Sequence, residues 1–204
     1  MDDLQQDQAG AEELIVLCAP DGSAAGRLPK REVHHADTPL HLAFSCYLFD
    51  QESRVLVTRR ALTKRTWPGV VTNSCCGHPG PGESMRAAIE RRLDQELGVR
   101  PDSVELVLPR FRYRATMPDG TVENELCPVY RACVRTPLPL HLDPTEVHDA
   151  TWTPWAEYRA GALADPASVS PWSALQVADL DALGADPMGW PAGSDSELPP
   201  AAVA

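Results

Sequence analysis

Gly77-His78-Pro79-Gly80-Pro81-Gly82-Glu83 opens directly onto Ser84-Met85-Arg86-Ala87-Ala88-Ile89-Glu90-Arg91-Arg92-Leu93-Asp94-Gln95-Glu96-Leu97, and Gly98-Val99 closes the run. A glycine- and proline-rich loop followed by a serine reads as a helix entry, and the spacing predicts a helix over 84–97. Met85, Ile89, Leu93 and Leu97 recur every four residues and form one apolar stripe, and Gly98 supplies the stop. Positions 92, 95 and 96 lie three and four apart, so Arg92, Gln95 and Glu96 share another face, and that face is neutral in sum.

Outward from this helix, β signals dominate. Strands are expected over 13–19, 40–50, 54–60, 70–74, 104–116, 125–135 and 146–153, and Gln51-Glu52-Ser53 joins the second and third with a loop of hairpin length. Shorter helices are expected over 154–160 and 171–183. Many strands with few helices give an α+β class. Residues 1–11 are polar and acidic, and 188–204 are rich in Gly, Pro, Ala and Ser without any period. Both read as disordered tails around a single domain over 12–187.

The chain has 204 residues, with 18 Lys and Arg against 29 Asp and Glu, a net charge of −11. That balance argues against a generic nucleic-acid or membrane-surface binder. Leu14–Ala19 is the longest apolar stretch, far too short to cross a bilayer, and Met1-Asp2-Asp3 lacks the order of a signal peptide. A cytoplasmic location is therefore expected. Its six cysteines, 18, 46, 75, 76, 127 and 133, contain no C-x-x-C, which argues against a thiolate zinc site and for reduced thiols.

Of the six histidines, His34, His41 and His78 stand in informative company, while His35, His141 and His148 read as ordinary loop or edge residues. Downstream, Glu123-Asn124-Glu125 opens an apolar β run, so Glu123 and Glu125 project from one face. Three imidazoles and two carboxylates form a five-ligand nitrogen and oxygen set suited to Mn²⁺, Mg²⁺ or Zn²⁺ with one position open. Spacing alone does not bring such separated positions together.

The loop and helix of residues 77–99 resemble the Nudix box. Gly77, Glu83, Arg91, Leu93, Glu96, Gly98 and Val99 fall on its positions, while Arg92 and Gln95 stand where glutamates are usual. The resemblance implies a Nudix-like mixed β-sheet sandwich with flanking helices. A neutral face is poorly suited to a cluster of several metal ions that activates water. It can hold one metal through Glu96 and contact a phosphate through Arg92.

Taken together, several segments resemble type I isopentenyl-diphosphate isomerases over roughly residues 13–175. They are 34–44, 57–61, 67–79 (Trp-Pro-Gly-Val-Val-Thr-Asn-Ser-Cys-Cys-Gly-His-Pro), 111–115, 122–128 and Ser170-Pro171-Trp172. That family moves a double bond to convert isopentenyl diphosphate into dimethylallyl diphosphate. The resemblance implies Cys76 on one side of the substrate and Glu125 on the other, with Tyr113 beside the carboxylate. Trp172 would present an indole face to a carbocation, a contact of ~2 kcal/mol or more when desolvated. It also implies a metal held by His34, His41, His78, Glu123 and Glu125, and a Mg²⁺ bridging Glu96 and the diphosphate. Lys30, Arg60, Lys64 and Arg92 match the diphosphate-contacting positions. A monomer acting on a small molecule, with neither nucleic acid nor membrane as partner, is expected.

Two other readings remain at this level. A Nudix hydrolase of a nucleoside diphosphate derivative would leave Cys76, Glu125 and the three histidines unexplained. A non-catalytic module on a degenerate Nudix fold would leave Cys76, Tyr113 and Glu125 without a purpose.

Overall fold

The computed structural model describes residues 13–203. The strands are β1 (Leu14–Cys18), β2 (Ala24–Pro29), β3 (His41–Leu42), β4 (Phe44–Phe49), β5 (Arg54–Arg60), β6 (Val71–Thr72), β7 (Cys75–Gly77), β8 (Ser103–Leu108), β9 (Arg112–Thr116), β10 (Val122–Leu126), β11 (Val129–Cys133) and β12 (Val147–Pro154). The helices are α1 (Lys30–Val33), α2 (Met85–Leu97), α3 (Trp155–Ala164) and α4 (Pro171–Ala182). One sheet runs β2-β1-β3-β10-β9. The other runs β12-β5-β4-β11-β8, with β6 added to β5 and β7 to β4. This is the expected α+β class.

Three of the long strands expected from sequence are each two strands in different sheets. The run over 40–50 changes sheet at Ala43, 104–116 changes at 109–111, and the run around 125–135 changes at Cys127-Pro128. Proline has no N–H to continue a ladder, so Pro109 and Pro128 mark two of these crossings. The crossings run side by side: β3 pairs in parallel with β10, and β4 in parallel with β11. The strands that carry His41, Glu123 and Glu125 are thereby neighbours.

β4 is buried at all six positions, because it lies between other strands with both faces covered. Its Phe44, Cys46 and Leu48 meet the apolar stripe of α2, and Tyr47 and Phe49 meet α3 and α4. In α2 the Ser84 hydroxyl accepts from the Ala87 N–H, and Gly98 takes φ 69°. A Cβ at Gly98 would come within 2.7 Å of His141, so this helix stop needs glycine for both conformation and space.

The C-terminal expectation is corrected. Residues 188–203 are held against the domain, with short 3₁₀ turns at Pro187–Gly189, Asp195–Glu197 and Pro200–Ala202. Trp190, Leu198 and Ala201 are buried. A segment without periodicity can still dock by isolated large side chains and backbone bonds, here Gly193 N–H to the Leu106 carbonyl and Ala201 N–H to the Gly22 carbonyl, 2.8 and 2.9 Å. The expected N-terminal tail, 1–11, lies outside the described residues. Among the described residues, no helix is long and apolar enough to cross a membrane.

Candidate active site

Where β3 and β10 run side by side, Glu125 is directly paired with His41. His34 follows α1 and His78 follows β7, so four chain segments deliver imidazoles and carboxylates to one place. Ligand atoms of His34, His41, His78 and Glu125 lie within 4.8 Å of one another. His41 Nε2 and His78 Nε2 are 3.5 and 3.3 Å from Glu125 Oε1, and His34 Nε2 is 2.9 Å from Glu123 Oε2. These approaches are close but misaligned as hydrogen bonds: His34 Nε2, His41 Nε2, both ring nitrogens of His78 and Glu123 Oε2 are buried without a hydrogen-bond partner.

Such orphaned groups are costly unless something else satisfies them. A divalent cation would do so, and the nitrogen and oxygen donors fit one. The His41 Nδ1–H donates to the Pro39 carbonyl at 2.9 Å, which leaves the Nε2 lone pair facing the cluster. Burial pushes His78 down to about 4, so it is a neutral imidazole with lone pairs to give.

Beside this cluster lies a cavity of about 350 Å³. Cys76, Tyr113, Glu125 and Trp172 line it, together with Lys30, Arg60, Lys64 and Arg92. Cys76 on β7 is paired with Ser45 on β4, and its sulfur lies 3.4 Å from the Ser45 hydroxyl and 3.2 Å from Asn73 Oδ1. Burial pushes the Cys76 thiol up to about 11, so it keeps its proton at neutral pH. Tyr113 on β9 stands opposite Glu125 in the β9–β10 ladder, and its ring tilts against Trp172 with centroids 5.9 Å apart. Trp172, on the first turn of α4, also has the Arg60 guanidinium 5.6 Å from its ring centroid.

The cations of the cavity lining are mostly matched to carboxylates. Arg92 Nη2 is 2.5 Å from Glu96 and 3.3 Å from Glu146, and Lys64 Nζ is 2.5 Å from Glu146. Lys30 pairs with Glu13 at 2.9 Å, while Arg60 is held by the Thr66 carbonyl. Glu96 is buried behind this wall and does not line the cavity. Glu146 is a site residue that sequence reasoning passed over. It sits in an unremarkable Asp143-Pro144-Thr145-Glu146 turn, and only the fold puts it beside Lys64 and Arg92. Asn73 was passed over too, although it stands inside the quoted 67–79 segment.

A NUDIX domain family model matches residues 39–173. An isopentenyl-diphosphate Delta-isomerase of Saccharopolyspora erythraea is 52% identical over 192 residues, covering 94% of this chain and 97% of the relative. Another, from Mycolicibacterium vanbaalenii, is 55% identical and covers 87% and 96%. The chain belongs to the isopentenyl-diphosphate Delta-isomerase family. The Nudix fold of this isomerase family also shows in a Deinococcus radiodurans structure, with a TM-score of 0.60 at 18% identity, covering 82% of this chain and 98% of the other. A MutT protein of Methanosarcina mazei gives 0.55 at 15%, covering 72% and 96%. These distant likenesses speak only for the fold. In this member of the isomerase family, the helix that resembles a hydrolase's metal helix commits Glu96 to Arg92, which weakens the hydrolase reading.

Proposed function

We propose that the chain interconverts isopentenyl diphosphate and dimethylallyl diphosphate, with Cys76 and Glu125 sharing the two proton transfers. One observation carries this reading: a thiol and a carboxylate line the same small cavity with two aromatic rings and a set of cations. The cations suit a diphosphate, whose burial without them would be prohibitively costly. The rings of Tyr113 and Trp172 suit a five-carbon alkenyl group.

One of the pair delivers a proton to C4 of the alkene, which leaves a tertiary cation at C3. The other removes a proton from C2, and the electrons of that C–H bond form the C2=C3 double bond. Each turnover thus moves one proton from donor to acceptor, and exchange with solvent resets the pair. Trp172 and Tyr113 stabilise the cation through their ring faces and keep water from capturing it. His34, His41, His78 and Glu125, with Glu123 beside them, would hold Mn²⁺, Mg²⁺ or Zn²⁺. A cation there would fix the position and charge of Glu125. Only with Arg92 turned from it toward the diphosphate would Glu96 be free to hold a Mg²⁺ that helps neutralise that group.

The cysteines of the described residues are all free thiols, which supports a reducing compartment and hence the cytoplasm. We also propose that the chain acts as a monomer. The test is incubation with isopentenyl diphosphate and Mg²⁺, followed by proton NMR. Dimethylallyl diphosphate should accumulate to an equilibrium mixture, whereas phosphate release with no double-bond shift would favour a hydrolase.

A further inference from the structure

Asn73 lies between β6 and β7, is fully buried, and uses every polar atom of its side chain. Its Nδ2 donates to the carbonyls of Cys46 and Cys75 at 3.0 and 2.9 Å. Carbonyls only accept, so this settles which way the amide faces and turns Oδ1 toward the cavity residues. Oδ1 accepts from the Trp172 indole N–H at 3.1 Å, the Thr72 hydroxyl at 2.8 Å and the Cys76 thiol at 3.2 Å. Trp172 comes from α4, 99 positions along the chain, so a single oxygen ties the thiol to the aromatic wall.

We propose that Asn73 is a positioning residue for the isomerisation, holding the Cys76 thiol and the Trp172 ring in one fixed frame. The inference rests on the functional reading above and deepens it. A carbonyl oxygen has two lone pairs, and here three donors compete for them. The indole N–H and the hydroxyl are the stronger donors and the thiol is the weakest. The indole bond sets the plane of the ring, so that its face is presented to the cavity. The thiol hydrogen is held only lightly and can turn toward an alkene carbon. Ser45, itself held by the Gln176 amide at 2.8 Å, keeps the sulfur in place from the other side. Small displacements of reacting groups cost large factors in rate, so a frame of this kind acts on turnover more than on substrate affinity.

The test compares wild type, Asn73→Ala and Asn73→Asp. Both variants lose the amide donors to Cys46 and Cys75, and Asn73→Asp also sets a carboxylate oxygen against those two carbonyls, so it should lose at least as much thermal stability as Asn73→Ala. Only Asn73→Asp keeps an acceptor for the indole and the thiol. In Asn73→Ala, kcat should fall about a hundredfold with KM within about threefold. In Asn73→Asp, kcat should recover at least about tenfold of that loss. The proposal is overturned if Asn73→Ala keeps kcat within about threefold of wild type, or if both variants lose rate equally. Should Asn73→Ala fail to fold, Asn73→Ser carries the test, because it keeps a small polar side chain and gives up the reach to the indole and the thiol. A fall in kcat of at least about fivefold with KM little changed supports the frame, and an unchanged kcat overturns it. Wild type that leaves isopentenyl diphosphate untouched would instead remove the functional reading itself.

Discussion

Arg92 and Glu96 stand one turn apart on α2 and close a buried ion pair, with Nη2 2.5 Å from Oε1. Breaking such a pair strands the other charge, so its members are poor candidates for casual surface roles. The same guanidinium reaches Glu146 at 3.3 Å and faces the cavity. It is therefore placed to turn from these carboxylates toward an incoming diphosphate.

The first prediction follows. A charged hydrogen bond to a phosphate contributes about 1.5–3 kcal/mol, so Arg92→Gln should raise KM roughly 10- to 150-fold. The effect on kcat should be smaller, because the diphosphate is bound in ground state and transition state alike. Steady-state kinetics below the melting temperature checks this, and an unchanged KM would take Arg92 out of substrate binding.

Removing either group proposed to transfer a proton should act in the opposite way. Cys76→Ala and Glu125→Gln should each lower kcat by about 10³-fold or more while KM moves little. Circular dichroism should show both variants folded. A kcat within tenfold of wild type in either variant would exclude that residue from the chemistry.

The orphaned imidazole nitrogens make a separate prediction about the metal. A cation that binds only the folded chain, at about a hundred times its Kd, adds about 2.7 kcal/mol, or roughly 5–10 °C in melting temperature for a chain of this size. Chelation should lower the melting temperature by that amount, and a divalent cation should restore it. His41→Ala should abolish both the tightly bound metal and the response to chelator. A melting temperature indifferent to chelator, with no metal in elemental analysis, would refute the site.

How legible all this was depends on the range of the interactions involved. The α2 helix is a local object: its stripe, its serine cap and its glycine stop all lie within 15 residues, and each is where the sequence put it. Four of the five metal-ligand candidates converge as ligand atoms, and Glu123 lies against His34. They could be chosen through the resemblance, but nothing in their spacing shows that β3 and β10 are partners. Sheet crossings at Ala43 and Cys127-Pro128 were not legible, because an apolar run reads alike whether it stays in one sheet or passes between two. The strand β2 was missed for a different reason: four of its six residues are exposed, so it carries no buried face to read. Asn73 and Glu146 act through partners far away in sequence, so only the folded chain identifies them.

Glu83 and Arg91, within the loop-and-helix segment, give a pH-dependent prediction. They form two parallel bonds of 2.8 Å, and Glu83 also accepts the Gly80 N–H. The Arg91 guanidinium holds the Glu83 carboxyl below the usual carboxylate range. A depressed folded value means that the stabilisation is complete above the unfolded value of about 4.3 and is lost as pH falls through the folded one. Both side chains are partly exposed, so screening limits the pair to about 0.5–1 kcal/mol. Wild type should exceed Glu83→Gln by that amount in urea unfolding at pH 7, and the gap should close below about pH 4. A gap that widens on acidification would contradict the assignment.

The last prediction concerns the C-terminal segment, whose docking depends on Trp190. Its ring meets Trp155 and Phe49 edge to face, with centroids 5.2 and 5.8 Å apart, and its N–H donates to the Gly184 carbonyl at 2.9 Å. Those partners lie in the core under α3 and α4, away from the cavity wall. Truncating a buried tryptophan costs about 3–5 kcal/mol, and at 2–4 °C per kcal/mol that is roughly 6–20 °C. Trp190→Ala should therefore melt that much lower and expose the segment after Asp186 to protease, while kcat at 20 °C stays near that of wild type. A change in melting temperature under about 2 °C would mean that the segment is not held by this ring.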